Sequence, residues 1–458
     1  MRYWMESLGC PKAEVDALKL SGVVEAEGYV PAGDPSAADL IVVNTCAFIE
    51  AARAESVEKI LELDQVRTPG SRLVVTGCLA ERYGQQLAEA LPEVDLVAPF
   101  GVSPLERSPV RFTKTPTLDL LELKRPPSTA PWAYVKIAEG CDRRCGFCAI
   151  PSFRGPQRSR EVSAILEEIE ELLAAGVQEI VLVAQDPVSF NKDRTLSSTR
   201  AGSPPNRLAA RGPRGGPKRD GRDTADLARL IESARALAPW VRVLYLYPTG
   251  LDERLIEVIA RDGLAYFDLS LQHASRSLLH AMGRPGGSDW FLERLGVIRE
   301  AAPDATLRSS FVIGYPGENE ADHQELLSFL QEARLHWAGF FPFSAEEGTR
   351  AASMNDQVPH ELAMERVREC EELQAEITTA LQLARLGTRM EVLVTEPGHA
   401  RSAKEAPDID AEIRVPREMQ VGSFSMVEAR SLEGLDLSAV AVEEPPARLQ
   451  HDGRTRDA

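Results

Sequence analysis

Three times in the first eighty residues a short apolar run reaches a cysteine and gives way to a helical pattern: MRYWMESLGC, DLIVVNTC (39–46) and RLVVTGC (72–78). The helical periods that follow cover 12–28, 48–63 and 79–91. Runs of four to eight apolar residues alternating with amphipathic helices predict a parallel sheet, because only a helical crossover returns the chain to start a parallel neighbour. If the three strands share one sheet, Cys10, Cys46 and Cys78 all face its carboxyl edge, where parallel α/β folds place their ligand crevices. Helix N-termini nearby are expected to favour thiolate over thiol. The alternative is three buried cysteines with only a packing role.

The same alternation resumes after a Pro-rich, irregular stretch. Strand-like runs lie at 133–138, 179–185, 241–247, 266–272, 306–314 and 338–343, with helical stretches at 160–175, 224–238, 251–261, 288–301 and 319–334. Six β/α units predict an open or partial (β/α)6 barrel. A long helix over 358–386 follows. Short β-type runs joined by Gly, Pro and Asp turns then predict a small C-terminal β-barrel. The expected fold class is therefore α/β throughout the first two units: a Rossmann-like sheet domain over 1–100, a linker over 101–131, a barrel core over 132–375, and an OB-like barrel over 379–446. Within 191–223 nine residues are Lys or Arg among repeated Gly and Pro. That composition predicts a disordered, solvated basic insertion.

The most specific motif is EGCDRRCGFCAIP, which places Cys141, Cys145 and Cys148 within eight residues. Thiolates at such spacing hold zinc or iron–sulfur clusters. A closed zinc site takes four ligands, and no His lies in or near the motif. A four-iron cubane held by three cysteines keeps one iron open for a small molecule. The motif also follows a strand directly, at the end of the first β/α unit, where such barrels carry their chemistry. Cys10, Cys46 and Cys78 are read as a second trio of the same kind. Cys370, mid-helix among charges, is read as an incidental thiol.

CDRRCGFC resembles the cysteine motif of radical S-adenosylmethionine enzymes, and Phe147 before the last cysteine fits that superfamily. The chain as a whole resembles the methylthiotransferases. It is closest to the RimO type, which modifies an aspartate of a ribosomal protein. The stretches that carry the likeness are SLGCPK, VNTCAFIEAARAES, TGCLAERY, KIAEGCDRRCGFCAIPSFRGPQRSR, LVAQD, LYPTG, LQHAS, FVIGYPGENE, FFPFSAEEGT and APDID. The tRNA-modifying branch starts with a YGCQMN-like run instead. LSLQH and MGRPGG depart from the usual DIPLQH-like and MRRP runs, close to the expected ligand edge.

The resemblance implies two [4Fe-4S] clusters, one on Cys141, Cys145 and Cys148 and one on Cys10, Cys46 and Cys78, with S-adenosylmethionine as radical source and methyl donor. It implies a methylthio group placed on the β carbon of an aspartate in small-subunit ribosomal protein S12, an external electron donor, and a TRAM domain at the C-terminus. Gln185, Gln272, Gly314, Gly317, Glu318 and Arg158 are the expected cofactor-binding residues. Arg154, Arg160, Asp186 and His273 are further candidates near that edge. No residue is assigned as a catalytic acid or base.

Charge bears on the partner. The net charge of −18 argues against broad nucleic-acid binding. Residues 391–444 hold twelve Asp or Glu against five Lys or Arg. An acidic barrel repels phosphates and attracts a basic ribosomal protein. Direct RNA binding is therefore not expected. No apolar run of about 18 residues and no basic-then-apolar leader is present, so a cytoplasmic protein without membrane association is expected. Two other functions remain open at this point: a tRNA adenosine methylthiotransferase, and a non-enzymatic zinc-bound ribosome- or RNA-binding factor.

Overall fold

The computed structural model describes residues 1–107, 111–113, 115–194 and 224–442. Most of the basic insertion, residues 195–223, and residues 443–458 lie outside the described residues.

The N-terminal sheet is five-stranded and wholly parallel, in the order β2-β1-β3-β4-β5. Its strands are β1 (Arg2–Ser7), β2 (Val30–Pro31), β3 (Leu40–Thr45), β4 (Arg72–Gly77) and β5 (Leu96–Ala98). Helices α1 (Pro11–Ala26), α2 (Glu50–Val66) and α3 (Cys78–Ala90) cover it. The apolar runs are unbroken because both faces are buried. Ile41, Val43, Leu73 and Val75 enter one core, while Leu40, Val42, Val74 and Leu96 enter the other. The short edge strands β2 and β5 carry too few residues to show a period and were not expected from the sequence.

Six further parallel strands form the barrel: β6 (Trp132–Lys136), β9 (Glu179–Val183), β10 (Trp240–Val243), β11 (Tyr266–Gln272), β12 (Thr306–Ile313) and β13 (Trp337–Pro342), with the short hairpin β7 (Ala138–Glu139) and β8 (Arg158–Ser159) between the first two. They form two three-stranded sheets, β6-β9-β10 and β11-β12-β13. A single parallel bridge, Leu246 with Leu269, joins them. The result is a (β/α)6 arc. Helix α1 of the first domain packs on β6, and its Val15 lies among Tyr134, Val181, Leu244 and Tyr266 of the barrel interior.

The C-terminal unit is a closed barrel in the order β14-β15-β16-β18-β17, with β14 (Arg389–Glu396), β15 (His399–Ser402), β16 (Ile413–Arg414), β17 (Phe424–Glu433) and β18 (Asp436–Ala441). Its loop over 403–410 enters the bottom of the (β/α)6 arc. Tyr134 Oη donates to the Pro407 carbonyl at 2.9 Å, and Arg242, fully buried, reaches the Ala403 and Glu405 carbonyls at 3.2 and 3.0 Å. The Pro-rich stretch after β5 is also tied down: Lys19 Nζ donates to the buried Leu121 carbonyl at 2.7 Å. No helix among the described residues is long and apolar enough to cross a membrane.

Candidate iron–sulfur site

Cys10, Cys46 and Cys78 follow β1, β3 and β4, three strands adjacent in the sheet. Cys10 is the N-cap of α1 and Cys78 is the first residue of α3. Cys46 departs from the expected pattern. It sits in a short loop before α2, and its backbone N–H is held by Ser56 Oγ of that helix at 3.1 Å. Glycine precedes two of the three cysteines for a steric reason. Gly77 has φ +90°, and a Cβ there would stand 2.5 Å from Asn44 Oδ1 and 2.6 Å from the Thr45 backbone. Gly9 has φ +104°, and its Cβ would meet the Cys46 Cβ at 2.9 Å and its Sγ at 3.1 Å. Only glycine admits both conformation and approach, so strand ends converge and the thiols are drawn together.

The helix termini do not act on the three thiols alike. Burial works against Cys10, but the Lys12 ammonium, the Arg154 guanidinium and the backbone N–H groups of Ala13 and Lys12 carry it below the ordinary thiol value. Burial pushes Cys46 up to about 11, with the Cys78 and Cys10 sulfurs adding to the rise. Cys78 is raised as well, by burial first, against the opposing Arg154. The expectation of favoured thiolates thus holds for Cys10 only. Cys46 and Cys78 ionise only against burial, which a bound metal centre would offset.

Cys141, Cys145 and Cys148 occupy the loop between β7 and the short helix α4 (Ile150–Arg154). Burial raises Cys141 to about 11 and Cys148 to about 12; the Cys145 sulfur adds to both rises, and the Cys141 sulfur to that of Cys148. The loop is clamped by cations. Arg143 pairs with the buried Asp186 at 2.6 Å and lies 3.6 Å from the Tyr247 ring centroid. Arg284 lies 4.2 Å from the same ring, and its Nη1 reaches Cys145 Sγ at 3.4 Å. Arg284 belongs to the divergent MGRPGG run. Nothing in its local pattern marks it, because its partner lies 139 residues away.

One residue links the two trios. Arg154 ends the helix that follows Cys148, is buried, and donates to Cys78 Sγ at 3.1 Å, to Asp16 at 3.0 Å and to Glu139 at 2.9 Å. Its guanidinium also stacks 4.6 Å from the Phe100 ring centroid. Lys136 completes the group through Asp16 and, at 2.7 Å, Glu139. Burial opposes the charge on Glu139, yet Arg154 and Lys136 hold it well below the usual carboxylate range. Gln185 donates to Glu139 at 2.6 Å and keeps a buried, unpartnered Oε1.

The other expected ligands fall in different places. Gln272 stands at a bulge closing β11 in left-handed backbone, φ +73°. Gly314, Gly317 and Glu318 form the turn after β12. There Glu318 accepts from the Gly314 N–H at 2.6 Å and pairs with Arg366 at 3.1 Å, so its carboxylate is already engaged. The turn still abuts the cysteine loop through Tyr315, whose hydroxyl would meet a Cβ on Gly146 at 2.7 Å. Arg158 is drawn off to Asp119, which it holds through two bonds of 2.6 Å at an exposed position. Arg160 is buried on Glu168 at 2.6 Å. His273 is a core residue. Burial lowers it to about 3, and its Nδ1 accepts from the Ser275 N–H at 3.0 Å. Cys370 is buried in the barrel core, on the inner face of a helix whose outer face carries the charges.

All seven cysteines are free thiols. Among the described residues no group of three or more His, Cys, Asp or Glu is gathered around a single ion. A cubane does not ask for that, since each thiolate binds a separate iron. The donor set fits such a cluster: two all-sulfur trios, each with an arginine N–H directed at one sulfur to offset the charge of several thiolates.

Residues 2–99 match the family described as Uncharacterized protein family UPF0004, residues 135–330 the Radical SAM superfamily, and residues 386–442 the TRAM domain. A ribosomal protein uS12 methylthiotransferase RimO from Desulforudis audaxviator is 40% identical over 94% of both chains. The chain belongs to the RimO family of methylthiotransferases. Its Moorella thermoacetica relative of the same name is 38% identical over 89% of this chain and 91% of its own. Among solved structures, the radical S-adenosylmethionine methyltransferase TsrM from Kitasatospora setae matches over 74% of each chain, with a TM-score of 0.46 and 17% identity. Membership in the RimO family makes the chain an iron–sulfur, radical S-adenosylmethionine enzyme whose cofactors are two [4Fe-4S] clusters and S-adenosylmethionine.

Proposed function

We propose that the chain adds a methylthio group to the β carbon of an aspartate in ribosomal protein uS12. The observation that carries this reading is Arg154, which ends the helix after one cysteine trio and hydrogen-bonds a sulfur of the other. The two sulfur sites are thereby joined through one side chain, an arrangement that supports a reaction drawing on both.

In this reading Cys141, Cys145 and Cys148 hold one cluster and Cys10, Cys46 and Cys78 the other. When bound, the cofactors supply a carbon-centred radical that removes hydrogen, and the sulfur and methyl of the new group. The protein's part is positional. Arg143, pinned by Asp186 and Tyr247, and Arg284 fix the cysteine loop and screen its charge. Gln185 and Gln272, at the carboxyl ends of β9 and β11, are placed to orient S-adenosylmethionine, and the Gly314–Glu318 turn to approach it. Arg158 and Glu318 serve that role only by giving up Asp119 and Arg366. Lys136, Asp16, Glu139 and Arg154 keep the wall between the sites rigid.

The acidic C-terminal barrel favours a basic ribosomal protein over RNA. The reaction also needs an external electron donor, and a ribosomal substrate places the enzyme in the cytoplasm. The test is to incubate the reconstituted protein with purified uS12 and, separately, with unmodified tRNA. A mass gain of CH2S on an aspartyl peptide of uS12 is expected. A gain on tRNA alone rejects the assignment, and a colourless protein holding zinc and no iron rejects the chemistry.

A further inference from the structure

Lys12, in SLGCPK, is buried at 7% exposure, and its ammonium stands 3.3 Å from the Tyr245 ring centroid. Among the described residues it has no carboxylate within salt-bridge distance and makes no side-chain hydrogen bond, to Cys10 Sγ or to anything else. The surrounding carboxylates are all taken. Asp16 holds Lys136 and Arg154, and Glu139 holds the same two. Asp268 pairs with Arg308 at 3.0 Å and accepts from the Tyr245 N–H at 2.9 Å. No carboxylate compensates the desolvation of this buried ammonium; the charged group it feels most is the Cys10 sulfur.

Its place is as informative as its charge. Tyr245 and Tyr247 stand two residues apart where the chain leaves β10. Tyr245 carries Lys12 and lies beside Cys10, while Tyr247 carries Arg143 and Arg284 beside Cys145. Tyr245 has left-handed backbone, φ +69°, at this exit. This cation, which has no carboxylate partner, therefore sits over the segment that runs between the two sulfur trios.

We propose that Lys12 is a specificity-determining residue that receives the carboxylate of the acidic residue to be modified. The inference rests on the substrate reading above. An aspartate held there by its carboxylate keeps its β carbon one bond from the paired group, beside Tyr245 and Cys10. Tyr245 holds the Lys12 stem in place, so little side-chain freedom is lost when the pair forms. The carboxylate of S-adenosylmethionine has the same chemistry, and the experiment separates the two.

Full-length protein, anaerobically reconstituted with iron and sulfide, is titrated with uS12 and separately with S-adenosylmethionine, for the wild type, Lys12→Met and Lys12→Arg. Lys12→Met keeps the stem over the ring without its charge. It is expected to weaken uS12 binding about tenfold or more, with S-adenosylmethionine affinity unchanged; because Lys12 also favours the Cys10 thiolate, binding is compared between preparations of equal iron and sulfide content. Lys12→Arg should retain most of the binding. A uS12 carrying Asn at the modified aspartate should bind the wild type more weakly than native uS12 and bind Lys12→Met no differently. Unchanged uS12 binding by Lys12→Met overturns the proposal. So does a loss confined to S-adenosylmethionine, which assigns Lys12 to the cofactor, or a loss of uS12 binding that disappears once iron content is matched, which assigns it to the cluster. Failure of the wild type to bind uS12 contradicts the substrate reading itself, and the assignment of Lys12 falls with it.

Discussion

Replacing Arg154 by Met strips a guanidinium from three partners at once: Asp16, Glu139 and Cys78 Sγ. The buried Asp16 and the half-buried Glu139 then share only the Lys136 cation. Breaking a buried pair of this kind costs about 3–5 kcal/mol, mostly as uncompensated charge. Arg154→Met should therefore lower the urea midpoint measurably and lose iron preferentially from the N-terminal trio, which iron analysis beside a Cys10→Ala variant would show. The six cysteines were legible in the sequence, because each follows directly on an apolar run or lies in a compact motif; the glycines before Cys10 and Cys78 were not singled out, since what they avoid lies on a neighbouring strand end. Arg154 and Arg284 were not legible in their roles, and Lys12 was not singled out. Their partners lie far away along the chain: the docking of two domains brings Arg154 to Cys78 and Lys12 to Tyr245, and the curl of the barrel brings Arg284 to Cys145. The reading of Arg158 as a ligand shows the converse. A motif places a residue near a site, but a neighbouring carboxylate, here Asp119, decides where the side chain goes.

At the scale of elements, the alternation of apolar runs and helical periods located the central sheet strands and all six barrel strands. It missed β2 and β5, the short strands at the two edges of the first sheet, which carry no resolvable period. It also gave no sign that the loop over 403–410 enters the (β/α)6 arc. Asp410 is the key residue of that insertion, accepting from the Tyr266 hydroxyl and from the Ala406 N–H at 2.8 Å, 3.4 Å from Arg308. Burial, only partly offset by Arg308, raises it to about 6. A carboxyl raised on folding contributes stability that is full below its unfolded value, about 3.8, and is lost as pH rises through the folded one. Asp410→Asn keeps the amide acceptor and removes that ionisation. Its urea midpoint should fall less than the wild type's between pH 4 and 7. Asp410→Ala strands Tyr266, Ala406 and Arg308, and should cost about 2 kcal/mol or more at every pH in that range.

For the whole molecule, the docking of the first domain on the barrel converges on one carboxylate. Glu346, 2% exposed, binds Arg53 of α2 and Arg82 of α3, the latter at 2.6 Å. Its neighbour Ser344 accepts from the Glu50 N–H at 3.2 Å. These residues come from CAFIEAARAES, TGCLAERY and FFPFSAEEGT, so three separated motifs meet in one contact. Glu346→Ala should split a single calorimetric transition into two, as the N-terminal domain loses its anchor, and should slow turnover while both trios still load. The account rests on two separate sulfur sites each holding a four-iron cluster. Iron and acid-labile sulfide should be measured in anaerobically reconstituted wild type and in a Cys10→Ala, Cys46→Ala, Cys78→Ala triple variant. About eight irons per chain falling to about four is the predicted result. An unchanged iron content in the triple variant, or about four irons in the wild type, would contradict it.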